Sequence, residues 1–212
     1  MGQLTSPLNE YIRLKDLVMI IGLMGFKNSG KDEAGAYLIK EHGFERRAFA
    51  DPGKRYMASV FDIPFSLIEQ LKNDPNCLVE ITDADTADGP DSNAISIAGF
   101  TFRQFMQNFI EQAKDVFGEK VWVDRVLPVD GFYVGKPVVI TDCRFIIEAD
   151  RIKKLGGFLV KIDRPFSTND VHVSEIEQLK ITPDYVVHNN GTIDSLYHEL
   201  ETMLDSLLEL VG

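Results

Sequence analysis

The stretch LVMIIGLMGFKNSGKD, Leu17 to Asp32, constrains the fold more than any other part of this 212-residue chain. Leu17 to Gly25 is an apolar run too short for a buried helix and bounded by glycine, so it reads as a buried strand. Lys31 to His42 then reads as a helix, with Ala34, Leu38 and Ile39 on one face and Gly43 as its stop. Between them lies G-x-x-x-x-G-K, and a strand–loop–helix context is what that motif needs to act as a phosphate-binding loop. Gly25 and Gly30 let the backbone close on phosphate oxygens, and amides at the helix N-terminus point their dipoles at the anion. Lys31 supplies a point charge for the β- and γ-phosphates. Asn28, Ser29, Gly30, Asp32 and Glu33 are the remaining candidate contacts to the bound nucleotide. Lys27 is either a cation bridging donor and acceptor phosphates or a solvated loop lysine. Asp32 stands where the motif has Ser or Thr; its carboxylate is a harder ligand that can take Mg²⁺ directly or hold one of its waters.

The rest of the chain alternates strand and helix signals. ERRAFA alternates as a second strand, and DPGKRYMASVF starts a helix just inside Pro52. Thr101 and Gln104 make a capping box for FRQFMQNFIEQAKDVFG. KPVVITD, FLVKID and DYVVHNN read as further buried strands, EADRIKKLGG as a helix with a glycine stop. From about Thr192, Ile193, Leu196, Tyr197, Leu200, Leu204, Leu207 and Leu208 form a helical stripe. Near-continuous apolar strands separated by helices predict an α/β fold: a parallel sheet of about five strands covered on both faces. Ligands of such sheets bind beyond the strands' carboxyl ends, so Gly25, Asp51, Asp142 and Arg164 are expected at one edge. Residues 73–96 are acidic and turn-rich, a surface excursion within one domain.

Charge narrows the partners. Lys and Arg total 22 against 33 Asp and Glu, a net charge of -11. So acidic a surface disfavours nucleic acid, while a small anion remains compatible with a locally basic cleft. Cys77 and Cys143 make no metal-ligand or disulfide pattern, which fits a reducing cytosol. No apolar run reaches a membrane span, and the N-terminus lacks a signal-peptide layout. MGQLTS matches the myristoylation pattern, but with no basic cluster behind it the match reads as chance.

Several residues carry chemistry suited to phosphoryl transfer, which needs charge neutralisation and alignment more than covalent help. Arg103 and Arg144 are candidates to grip an acceptor phosphate, because a guanidinium fork binds two oxygens at once; a surface salt bridge is the alternative for each. Asp142 closes a hydrophobic strand as a Walker B aspartate does, and serves either Mg²⁺ or the acceptor. Glu148, one helical turn past Arg144, either pairs with that arginine or contacts a base or sugar. Arg164 leads a weakly periodic segment, residues 164–183, that suits a lid over the phosphates. His172 within it has no partnered nucleophile. Asn189 and Asn190 either contact adenine or make an ordinary Asn-Asn-Gly turn.

Taken together, these residues resemble the bacteriophage deoxynucleoside monophosphate kinases. The loop G-x-K-x-S-G-K-D is similar to theirs, although animal phosphomevalonate kinases share its Asp. TFRQFMQ resembles the family's R-x-x-M-Q helix, and Trp122 lies on a W-V-like segment. DCRFIIEADRIKKLGG with VKIDRP resembles its D-x-R-x-x-x-E segment and R-P pair, and DVHVSE its D-x-H-x-[ST]-E stretch. The likeness spans most of residues 17–208, apart from 73–96.

It implies a P-loop kinase domain over residues 1–212, with an acceptor-binding part at about 51–125. It implies ATP and Mg²⁺, with Asp32 and Asp142 as metal-side residues. The expected reaction is transfer of the ATP γ-phosphate to a deoxynucleoside monophosphate. Lys27, Lys31, Arg103, Arg144 and Arg164 would be catalytic. Asp51, Lys54, Trp122 and Glu148 would join Lys27, Arg103, Asp142 and Arg144 around the acceptor. The enzyme would work in the cytoplasm, the host's where the chain is phage-encoded, as a monomer or homodimer. Another small-molecule phosphate kinase and a non-catalytic nucleotide switch are the competing readings. A GTPase switch would carry N-K-x-D, which does not occur.

Overall fold

A computed structural model of the chain describes residues 19–77, 101–128, 136–165 and 177–211. The N-terminal 16 residues, the excursion beyond residue 77 and His172 with most of the expected lid lie outside the described residues.

Five strands form one parallel sheet: β1 Ile20–Met24, β2 Glu45–Arg47, β3 Val138–Ile140, β4 Phe158–Asp163 and β5 Tyr185–His188. Their order is β2-β3-β1-β4-β5, so the strand feeding the glycine loop is central, paired with β3 on one side and β4 on the other. This is the α/β, P-loop NTPase-type sheet expected from the strand signals. Among the described residues the helices are α1 Lys31–His42, α2 Asp51–Val60, α3 Phe65–Asn73, α4 Phe102–Phe117, α5 Val121–Val126, α6 Ile146–Lys154 and α7 Ile193–Val211.

The uninterrupted apolar composition of β1 follows from burial on both faces. Ile21 and Leu23 pack with Leu38 of α1 and Leu196 and Leu200 of α7. Ile20 and Met24 point the other way, into a second cluster containing Ile152 of α6. Every β1 residue is buried, which a one-sided sheet would not require. Fully burying each such side chain stabilises by about 1.5–3 kcal/mol, so the central strand is anchored from both sides.

The chain divides into two compact units: Met1–Phe49 with Val123–Gly212, which holds the sheet, and Ala50–Trp122. The described residues of the second unit are mainly helical, with Met57, Ile68, Phe102 and Met106 in one buried cluster. Helix α4 starts as the capping box predicts. The Thr101 hydroxyl accepts from the Gln104 amide, and the Gln104 side chain accepts from the Thr101 amide at 2.9 Å. Helices α3 and α5 have no counterpart in the sequence-based expectations. Among its nine residues α3 buries Ile68 alone, and α5 has only six, so neither presents a readable stripe.

Candidate functional site

At the carboxyl end of β1 the loop has the backbone that its glycines suggest. Gly25 has φ +143°, and a β-carbon there would lie 2.5 Å from the Ile162 carbonyl oxygen and 2.6 Å from Ser29 Oγ. Gly30 is left-handed at φ 101° and opens α1 without any side-chain cap. Asn28 is also left-handed, at φ 64°, a conformation asparagine tolerates better than most residues. An uncapped N-terminus leaves first-turn amides to an outside acceptor, which is the local condition for anion binding. Ser29 Oγ adds a buried hydroxyl with no hydrogen-bond partner, the kind of orphan that a ligand satisfies.

Lys31 is buried and its ammonium is held inside the loop. Nζ donates to the Gly25 carbonyl at 2.6 Å and to the Phe26 carbonyl at 2.7 Å. Its charge is thus pre-positioned against the backbone that would surround a phosphate. Lys27, Asn28 and Asp32 are exposed. Glu33 is instead engaged by α7, where the Tyr197 hydroxyl donates to it. Its expected nucleotide contact would have to compete with that bond.

Asp142, Arg164 and Asn189 follow β3, β4 and β5, so they lie with the loop at the sheet's carboxyl edge. Asp142 Oδ1 accepts from the Phe49 amide at 2.7 Å. Arg144 and Arg164 are exposed. Glu148 answers one alternative left open by the sequence in an unforeseen way. Its Oε2 accepts from the Arg144 backbone amide at 2.8 Å and the Phe145 amide at 3.1 Å, capping α6 and shaping the turn that carries Arg144. Asn189, buried, donates from Nδ2 to the Ser29 carbonyl at 2.8 Å. It therefore braces the glycine loop.

Burial, and then the charge of Asp142, push the Glu148 carboxyl up to about 8, against the pull of the two amides. An unfolded glutamate releases its proton near 4.3. The protonated folded form is therefore favoured at low pH, and its stability contribution is lost as pH rises from about 4.3 through 8. Glu148→Gln keeps the amide acceptor and removes the buried charge. In metal-free buffer the variant should gain on the native chain by roughly 3 kcal/mol between pH 5.5 and pH 8. Melting curves at both pH values check this, and parallel pH dependences would refute it.

Within the second unit, Lys54 Nζ lies 3.6 Å from Asp51 and 2.5 Å from Glu69. Lys72 also pairs with Glu69. Burial raises the Glu69 carboxyl, but hydrogen bonds from Lys54 and Lys72 outweigh it and hold the group at about 2. Lys54 is thus a buried cation already neutralised by carboxylates of its own unit. Arg103 spends two donors on the end of α3, the Lys72 carbonyl at 3.2 Å and Asn73 Oδ1 at 3.0 Å. Trp122 is buried, its indole N–H donating to the Ile110 carbonyl at 3.0 Å. Any nucleoside contact by Trp122 would therefore use its ring.

One brace was invisible in the sequence. Buried Gln178 accepts from the Gly25 amide at 2.9 Å and donates to the Cys143 carbonyl at 3.3 Å. An isolated glutamine belongs to no spacing pattern, so nothing in the sequence could single it out. Asn189 did carry a signal, the Asn-Asn-Gly turn, though not the direction of its bond.

Among the described residues, no group of three or more His, Cys, Asp or Glu is placed to hold a metal ion. Among the described residues no helix is long and apolar enough to cross a membrane.

No protein-family model matches the chain. A protein of Acanthamoeba polyphaga mimivirus, named "Putative deoxynucleotide monophosphate kinase", is 32% identical over 201 residues, covering 91% of this chain and 100% of that protein.

Proposed function

We propose a specific reaction for this chain, which belongs to the deoxynucleotide monophosphate kinase family and is therefore a phosphotransferase: it moves the γ-phosphoryl group of ATP to a deoxynucleoside monophosphate, yielding the diphosphate and ADP. The observation that carries this proposal is the glycine loop, with its uncapped helix N-terminus, the orphan Ser29 hydroxyl and the held Lys31 ammonium.

In this reaction the loop amides and Lys31 bind the donor phosphates, with Asn28, Ser29, Gly30 and Glu33 beside them. Mg²⁺, held through Asp32 and Asp142, would neutralise the β- and γ-oxygens when bound. Arg144 and Arg103 grip the acceptor phosphate, and Lys27 bridges the donor and acceptor charges. Arg164 adds positive charge at the transferring group. The acceptor phosphate, with a second pKa near 6, is already a nucleophile at neutral pH, so no general base is required. Asp51, Lys54, Trp122 and Glu148 carry the acceptor-side roles, Glu148 by holding the turn of Arg144.

ADP release, coupled to a spectrophotometric readout, tests the assignment against a panel of deoxynucleoside monophosphates, ribonucleoside monophosphates and mevalonate phosphate. ADP should appear with at least one deoxynucleotide and stay near background without an acceptor. Turnover with mevalonate phosphate alone would move the chain to another acceptor class. Slow hydrolysis indifferent to every acceptor would instead make it a nucleotide switch.

A further inference from the structure

We infer that Gln178 is a positioning residue that sets the phosphate loop and the Arg144 turn in register with one another. Its side-chain amide has two different ends, and each is used. Oε1 accepts from the Gly25 N–H at 2.9 Å, and Nε2 donates to the Cys143 carbonyl at 3.3 Å. The carbonyl of the same Gly25 receives the Lys31 ammonium at 2.6 Å, and Cys143 immediately precedes Arg144. A single buried side chain thus connects the backbone holding Lys31 to the backbone carrying Arg144. Its neighbour strengthens the second attachment: Glu177 Oε1 accepts from the Ile146 amide at 3.4 Å, so residues 177 and 178 hold both ends of the Cys143–Ile146 turn.

Two cations that handle donor and acceptor phosphates must keep their separation closely, since a misplacement of about 1 Å costs roughly 100-fold in rate. The loop and the turn follow different strands, and β-sheet hydrogen bonds stop short of both. Gln178 supplies a bond where the sheet no longer does. This inference rests on the assignment of Lys31 and Arg144 as phosphate-binding residues.

Two variants of the full chain test it. Gln178→Met keeps the volume and loses both bonds. Gln178→Glu keeps an acceptor for Gly25 but, when ionised, sets an oxygen against the Cys143 carbonyl. Protonated, it can donate there as the amide does. Both variants should lower kcat at pH 8 by about 10–100-fold per folded molecule. Relative to wild type, Gln178→Glu should recover as the pH falls towards 6, and Gln178→Met should not. Amide hydrogen exchange, read without any nucleotide, should quicken about tenfold in Gln178→Met at both 25–32 and 143–146, with β4 unchanged.

Loosening of only one segment, uniform loosening of the whole chain, or a kcat within about twofold of wild type would each overturn the inference. Should the wild-type chain phosphorylate no deoxynucleotide, the reaction proposed above fails on that control. The exchange measurement then decides the role of Gln178 by itself.

Discussion

Lys31→Ala is expected to lower kcat by roughly 10²–10³-fold while the protein stays folded. The ammonium sits within the loop on the Gly25 and Phe26 carbonyls, and alanine removes its charge and its donors together. Each hydrogen bond contributes only about 0.5–1.5 kcal/mol to folding. Stability should therefore fall modestly. Removing a positioned donor from developing charge instead costs about 2.7–4 kcal/mol in the transition state, so the rate suffers more than the fold. Steady-state turnover at saturating substrates, beside a melting curve, separates the two effects. A variant with wild-type turnover would refute the loop's role in catalysis.

Gly25→Ala should weaken ATP binding by roughly 10–100-fold, because a strained backbone of this kind costs about 1–3 kcal/mol and the loop must reshape to relieve it. The added β-carbon would lie 2.5 Å from the Ile162 carbonyl, a main-chain atom of the sheet that cannot swing aside. Gly156→Ala is the matched control: φ there is +76°, yet a β-carbon would meet nothing within 4 Å. It should cost about 1 kcal/mol of stability and leave nucleotide affinity unchanged. Equilibrium titration of both variants with ATP makes the comparison. Equal affinities would mean that the tight packing at Gly25 has no bearing on the site.

Much of this architecture was legible because its signals are local. The apolar run at Ile20–Met24, the glycine stop after His42 and the Thr101–Gln104 cap each lie within a few residues of the structure they specify. The short helices α3 and α5 are not legible in the sequence, because a helix with one buried residue, or only six residues, leaves little periodic trace. Residue roles were legible to a lesser degree. The spacing of Glu148 from Arg144 suggests a side-chain pair as one of two alternatives, but its partner there is the Arg144 backbone amide. A sequence identifies side chains and not which end of a neighbour they bind. The place of Glu33 after the loop suggests a nucleotide contact, but no local signal announces the Tyr197 hydroxyl, 164 residues away, that donates to it.

By itself the sequence determined the glycine loop, the central buried strand and the alternation that builds a parallel sheet. Each of these depends on backbone freedom or apolar periodicity over a few neighbouring positions. Tertiary structure alone decided what braces the loop: Gln178, 153 residues from Gly25, and Asn189, 160 residues from Ser29. Those contacts arise from the strand order β2-β3-β1-β4-β5, which brings the ends of β1, β3 and β5 to one edge. A hydrogen bond requires proximity in space, and proximity across such separations is set by how the whole sheet closes its core.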